Sequence, residues 1–172
     1  MTTTKILLVA GLSLTGCGSP QGPSSSPSSS STTTSIATAQ YRGSWQGATG
    51  QSLPIRFTVD QNNNVASLEV DYRISFPSAG TCMYTLRASN APISNGQFDV
   101  TLISPTTLGF ASTAIPRVRG TFTSATACSG AITDFCVGFF VCAGRVEAGG
   151  SFGVSGTSFS AQLISNPVLT ER

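Results

Sequence analysis

Five cysteines, Cys17, Cys82, Cys128, Cys136 and Cys142, are the residues best suited to covalent or metal chemistry. The chain contains no histidine. Neither a Ser-His-Asp nor a Cys-His nucleophile can therefore be assembled, because each needs an imidazole to accept the proton. Structural zinc sites usually draw two ligands from a tight knuckle with ~2 to 4 residues between them. Here seven residues separate Cys128 from Cys136 and five separate Cys136 from Cys142, so no metal site is expected.

Two-carboxylate hydrolysis needs a pair held about 5 to 10 Å apart across a substrate. Glu69 and Asp71 have a permissible spacing, but Arg73 follows on the same strand face and the alternation explains all three as a solvated surface. Asp134 and Glu147 belong to no recognisable motif. Gly149 to Gly153 precedes no helical pattern, so it reads as a turn and not as a phosphate cradle. No catalytic residue and no cofactor is assigned.

Cys17 differs from the other four cysteines in its surroundings. A short n-region with Lys5 leads into an apolar run from Ile6 to Leu14, followed by Thr15, Gly16 and Cys17. Nine residues at about 1.5 Å each cannot cross a hydrocarbon core of roughly 30 Å, so residues 1–16 read as a signal and not as a transmembrane helix. Leu14-Thr15-Gly16-Cys17 resembles the lipobox of bacterial lipoprotein signal peptides. The resemblance implies that Cys17 is alkylated with diacylglycerol, becomes the mature N-terminus and is acylated on its amine. The alternative is an ordinary secretory signal with a coincidental cysteine. Without Asp at the second mature position, lipoprotein sorting rules point to the outer membrane of a two-membraned bacterium, or to the outer face of the cell membrane otherwise. Membrane lipid, reached through Cys17, is the first expected partner.

Between Gly18 and Gln40 thirteen of twenty-three residues are Ser or Thr, with Pro20, Pro23 and Pro27 among them. Too little apolar surface is present to offset the entropy of ordering, so residues 17–40 are expected to form a lipidated, disordered linker. A bare spacer is preferred over an O-glycosylated stalk. The single Lys5 lies in the signal; the other cations are eight arginines, set against seven carboxylates, and the net charge is only +2. Without a basic patch nucleic acid is not an expected partner. An envelope protein or glycan is.

Residues 41–172, about 130 residues, suffice for one core, and their pattern is that of an all-β domain. Leu53 to Asp60 and Leu68 to Phe76 alternate apolar with polar, as do Cys82 to Arg87, Phe98 to Leu102 and Arg117 to Thr123. Shorter segments follow at Leu108 to Ala111, Ala127 to Thr133, Val137 to Val146, Ser151 to Val154 and Ser158 to Ile164. Turn residues separate them, notably Gln61 to Asn64, Pro77 to Gly80 and the hairpin signal Ser94-Asn95-Gly96. About ten short strands with such connections predict an antiparallel β-sandwich or barrel after the N-terminal tether.

Four cysteines remain for this exported domain, and disulfides are expected. Cys82 with Cys142 and Cys128 with Cys136 is the preferred pairing, the first joining an early strand to a late one and the second clipping a local loop. Cys136 with Cys142, leaving Cys82 for Cys128, is the alternative. The opening Gly43-Ser44-Trp45 resembles the G-x-W of calycin barrels, where the tryptophan closes one end and a late arginine lies on it. By that resemblance Arg145 would cover Trp45 and the domain would carry a small apolar ligand; the competing reading makes Trp45 a core anchor of an unrelated β domain. Finally, Phe135 to Cys142 carries three phenylalanines and two valines. Either both faces of that strand are buried or Phe139 belongs to an exposed binding patch.

Overall fold

Strand alternation translates directly into structure in the computed structural model, which describes residues 41–104, 108–111 and 114–165. Twelve strands run in order: β1 (Gly43–Thr49), β2 (Pro54–Val59), β3 (Asn64–Phe76), β4 (Gly80–Ala88), β5 (Ala91–Pro92), β6 (Gln97–Thr101), β7 (Leu108–Phe110), β8 (Arg117–Phe122), β9 (Ala127–Ile132), β10 (Phe135–Cys142), β11 (Arg145–Val154) and β12 (Thr157–Ser165). The protein is all-β, and no helix occurs among the described residues.

Turn chemistry fixes the connections. Asp60 Oδ1 accepts the backbone N–H of Asn62 (2.8 Å) and of Asn64 (2.9 Å), and Asn63 takes the left-handed conformation at φ 60°. Asn enters that conformation more readily than most other residues. Asn95 and Gly96 have φ of 51° and 73°, as the predicted primed turn requires, and Ser94 and Gln97 exchange backbone hydrogen bonds across it. One turn departs from expectation. The strand foreseen from Val137 to Val146 is broken by Ala143 and Gly144 at φ 50° and 79°, so Cys142 ends β10 and Val146, now past a hairpin, is 69% exposed. The same hairpin carries Gly149 and Gly150 into β11, where a turn was expected.

Nine strands form one antiparallel sheet in the order β4-β3-β2-β1-β12-β9-β8-β6, with β5 beside β3. The sheet curls into a half-barrel. At one end its two margins meet, since Arg87 of β4 and Ile103, just past β6, exchange backbone hydrogen bonds. A second sheet, β11-β10-β7, packs against the opening. It is tied to the first by the Cys82–Cys142 disulfide, by Tyr84 Oη donating to the Val141 carbonyl (3.2 Å) and by Tyr72 Oη donating to the Ser155 carbonyl.

The inward residues make a single core in which Ile55, Val65, Val70, Leu86, Leu102 and Val118 are fully buried. Each such side chain contributes about 1.5 to 3 kcal/mol relative to exposure. Two groups of rings fill it. Trp45, Phe57, Phe98 and Phe122 pack beneath β1, β2, β6 and β8. At the far end of β3, Phe76 stacks on Phe140 at 3.6 Å and Tyr72 meets Phe135 edge-on. Phe98 and Phe159 lie opposite Gly120 and Gly130 across their ladders. A Cβ on either glycine would fall within 3 Å of the ring, so the missing side chains make room for the aromatics.

Candidate functional site

Cys17 and the tether to residue 40 lie outside the described residues. Of the cysteines that are described, Cys82 and Cys142 form the expected inter-sheet bond, with Cα atoms 5.8 Å apart. The expected pair Cys128–Cys136 is not made. Cys128 is a free, buried thiol on β9, opposite Phe122 of β8 and Ala161 of β12. Cys136, engaged in an interaction of its own, sits on β10 between β7 and β11. Two residues, Thr133 and Asp134, carry the backbone from one sheet to the other between these cysteines, so the local clip inferred from spacing joins elements that belong to different layers. Burial pushes the Cys128 thiol up to about 12 despite a backbone hydrogen bond from Thr121. It stays protonated at neutral pH and is a poor nucleophile.

Arg145 does not reach Trp45. Its guanidinium donates to the Ser78 carbonyl at 3.0 Å in the β3–β4 turn. Trp45, 1% exposed, is held by Phe57 (parallel, 5.6 Å), Phe122 (edge-on, 5.0 Å) and a hydrogen bond from Nε1 to the Tyr41 carbonyl (2.9 Å). The calycin-like pairing of the two is therefore replaced by an aromatic cluster. Phe139 and Phe140 divide between faces. Phe140 is buried, while Phe139 lies over Gly109 of β7 on the outer face and remains 36% exposed. Among carboxylates, Glu69 pairs with Arg87 Nε at 2.7 Å, Asp71 accepts the Thr85 hydroxyl at 2.7 Å, and Asp134 accepts the Gly156 N–H. Among the described residues no three of Cys, Asp and Glu converge as a metal site.

A different place has the shape of a site, and sequence reasoning missed it. On the outer face of the half-barrel two polar rows run across the strands. One is Ser44 on β1, Thr58 on β2 and Ser67 on β3; the other is Gln46, Arg56 and Glu69 on the same strands, continuing to Arg87 on β4. Thr58 and Ser67 share a hydroxyl–hydroxyl bond of 2.7 Å. Both strands flanking β1 and β2 are bulged beside the first row. Ser44 pairs with Ser165 and Trp45 with Leu163, leaving Ile164 unopposed; Thr58 pairs with Ser67 and Val59 with Val65, leaving Ala66 unopposed. A bulge bends its strand and re-aims a side chain. Two of them on either side of one row produce a groove of about 250 Å³ whose lining includes Ser44, Gln46, Arg56, Thr58, Ser67, Glu69 and Ile164.

The charges in this groove are uneven. Glu69 is committed to Arg87, and the side chain of Arg56, directly opposite Glu69 in register, makes no hydrogen bond or ion pair with another described residue. Ile164 stands 61% exposed at the edge. The sequence held one signal for this arrangement. Phe159, Ala161 and Leu163 alternate inward along β12, and a large apolar residue at 164 breaks that phase.

No protein-family description, curated protein or solved structure matches the chain.

Proposed function

We propose that the chain is a lipid-anchored bacterial lipoprotein that displays its β domain in the cell envelope as a non-catalytic binding or structural module. The observation that carries this reading is the apolar run Ile6 to Leu14 ending in Thr15-Gly16-Cys17 and followed at once by a Ser/Thr/Pro tract. A diacylglyceryl thioether together with an N-acyl chain provides the two or more chains that stable anchoring needs, where one alone binds marginally. The tether then holds the domain clear of the headgroups, on the outer membrane of a two-membraned cell or on the outer face of a single membrane.

The absence of an imidazole and the engagement of Glu69, Asp71 and Asp134 by neighbours support a role without catalysis. Contact with an envelope protein or glycan through the outer surface accounts for a polar groove there, and the scattered arginines offer no track for nucleic acid. A calycin-like carrier of a small apolar ligand is the second reading. It draws on the curled sheet and on Trp45 in the first strand, and is weakened by the rings that fill the space beneath β1 and β2.

Mass spectrometry of the protein purified from bacterial membranes tests the anchor. The expected N-terminal peptide begins at Cys17 and carries a diacylglyceryl thioether, and Cys17→Ser moves the protein to the soluble fraction. An uncut N-terminus, or Cys17 recovered as a free thiol or in a disulfide, overturns the reading.

A further inference from the structure

We propose that the bulge-flanked groove at Arg56 binds the carboxylate of an acidic sugar unit in an anionic glycan, an assignment that rests on the binding-module reading above and gives it a ligand class. The charge arrangement selects the sign. Across β2, β3 and β4 the outer row reads Arg56, Glu69, Arg87, and the only carboxylate among the three is bonded to Arg87 at 2.7 Å. One guanidinium, that of Arg56, is left with its planar fork of donors unengaged by any described residue, the geometry that receives a carboxylate through two parallel hydrogen bonds. The row carries one net positive charge, so a monoanion neutralises it. A dianion would bring excess negative charge up against Glu69.

Size and lining select the rest of the ligand. At about 250 Å³ the groove falls below the ~300 Å³ at which pockets for drug-sized molecules begin, and it suits one sugar ring of a longer chain passing along an open surface. The Thr58–Ser67 hydroxyl pair and the Gln46 amide, which bonds to no other described side chain, offer donors and acceptors for ring hydroxyls. Ile164, pushed outward by the bulge in β12 and 61% exposed, presents an apolar surface to the C–H face of a pyranose. Charge-paired polar residues alone would suit any small anion. The exposed isoleucine beside them is what favours a ring.

Isothermal titration of the full lipidated chain in detergent micelles tests the proposal with three probes: a glucuronic acid tetramer, the same tetramer with its carboxyl groups reduced to alcohols, and inorganic phosphate. The acidic tetramer is expected to bind at least tenfold more tightly than either other probe. Arg56→Gln is expected to weaken it at least tenfold, Arg56→Lys to give an intermediate loss because charge remains without the fork, and Arg145→Gln, at the far turn, to change nothing. Thermal unfolding of each variant checks that the domain stays folded; Arg56 is exposed and its replacement leaves the core intact. No binding of the acidic tetramer, equal binding of the reduced tetramer or of phosphate, or retention of binding in Arg56→Gln overturns the proposal. Failure of the anchor reading shows separately, in the mass of the Cys17 peptide from the same preparation.

Discussion

Arg87 and Ile103 face each other across the seam of the nine-stranded sheet, and each backbone N–H donates to the other's carbonyl, at 2.8 and 2.7 Å. The two margins of the sheet, β4 and the segment after β6, are thereby joined at one end, which hides part of an otherwise open edge. Ile103→Pro removes one donor and places a ring in the seam. A loss of about 1 to 2 kcal/mol in urea unfolding is expected, whereas Ile103→Thr, at a side chain that is already exposed, is expected to stay within about 0.5 kcal/mol of wild type. Equal stability of the two variants would show that the seam contributes nothing.

Cys82 and Cys142 tie the margin of the large sheet to the last residue of β10 across a sequence separation of 60. In the chain-entropy account a closed loop of that length restricts the unfolded ensemble by about 4 kcal/mol. The double variant Cys82→Ala/Cys142→Ala is expected to lose stability of that order in guanidinium unfolding. Proteolysis is expected to cut first within β10 or β11, because without the bond this end of the small sheet is held by ring contacts such as Phe76 on Phe140 and by hydrogen bonds such as Tyr84 to Val141 and Arg145 to Ser78. First cleavage elsewhere, or an unchanged midpoint, would refute the clasp.

Much of the fold was legible because the strongest strands obey one rule. Residues 53–60 and 68–76 alternate in sequence and alternate in burial. Ser94-Asn95-Gly96 has a turn chemistry with few alternatives. What escaped depends on partners that a single strand does not reveal. Ala143 carries no turn signal, and only the pairing of Cys142 with Arg145 shows that the chain reverses there. Cys128 and Cys136 are close in sequence, but the chain changes sheets between them, so nearness did not become contact. The groove was hidden for another reason. Arg56, Thr58, Ser67 and Glu69 look like any wet face when each strand is read alone, and it takes the register across three strands, with bulges at Ile164 and Ala66, to gather them.

Asp99 lies between two arginines, 2.9 Å from Arg117 Nε and 3.1 Å from Arg119 Nε. Partial burial by itself would raise its carboxyl, but the hydrogen bonds and charge of Arg117 and Arg119 outweigh it and hold the group below its ordinary value of 3.8. A folded-state pKa below the unfolded one means that the contribution is complete above about pH 4 and disappears as pH falls through the folded value. The group is more than one third exposed, so solvent screening limits the effect to a few tenths of a kcal/mol. Asp99→Asn is therefore expected to lower stability slightly at pH 7 and to have no effect at pH 2, in parallel urea curves at both values. A deficit that persists unchanged at pH 2 would place its cause outside the ion pairs.

Trp45 is the only tryptophan in the chain, so intrinsic fluorescence reports directly on the interior beneath β1. Its ring lies parallel to Phe57, meets Phe122 edge-on and donates to the Tyr41 carbonyl. That space is occupied by protein. The native emission is expected to be blue-shifted, insensitive to iodide and unchanged on adding a long-chain fatty acid, then to move to the red on unfolding. Trp45→Phe removes the indole N–H and leaves both a small void and an unmet carbonyl, at a cost of about 1 to 3 kcal/mol. A carrier with an apolar ligand site at this end of the curled sheet would behave in the opposite way, with saturable quenching or a spectral shift on adding fatty acid and increased stability in its presence. Saturable quenching would restore the carrier reading and move the search for a site from the outer groove to the interior; its absence leaves Trp45 as the ring around which β1, β2 and β8 pack.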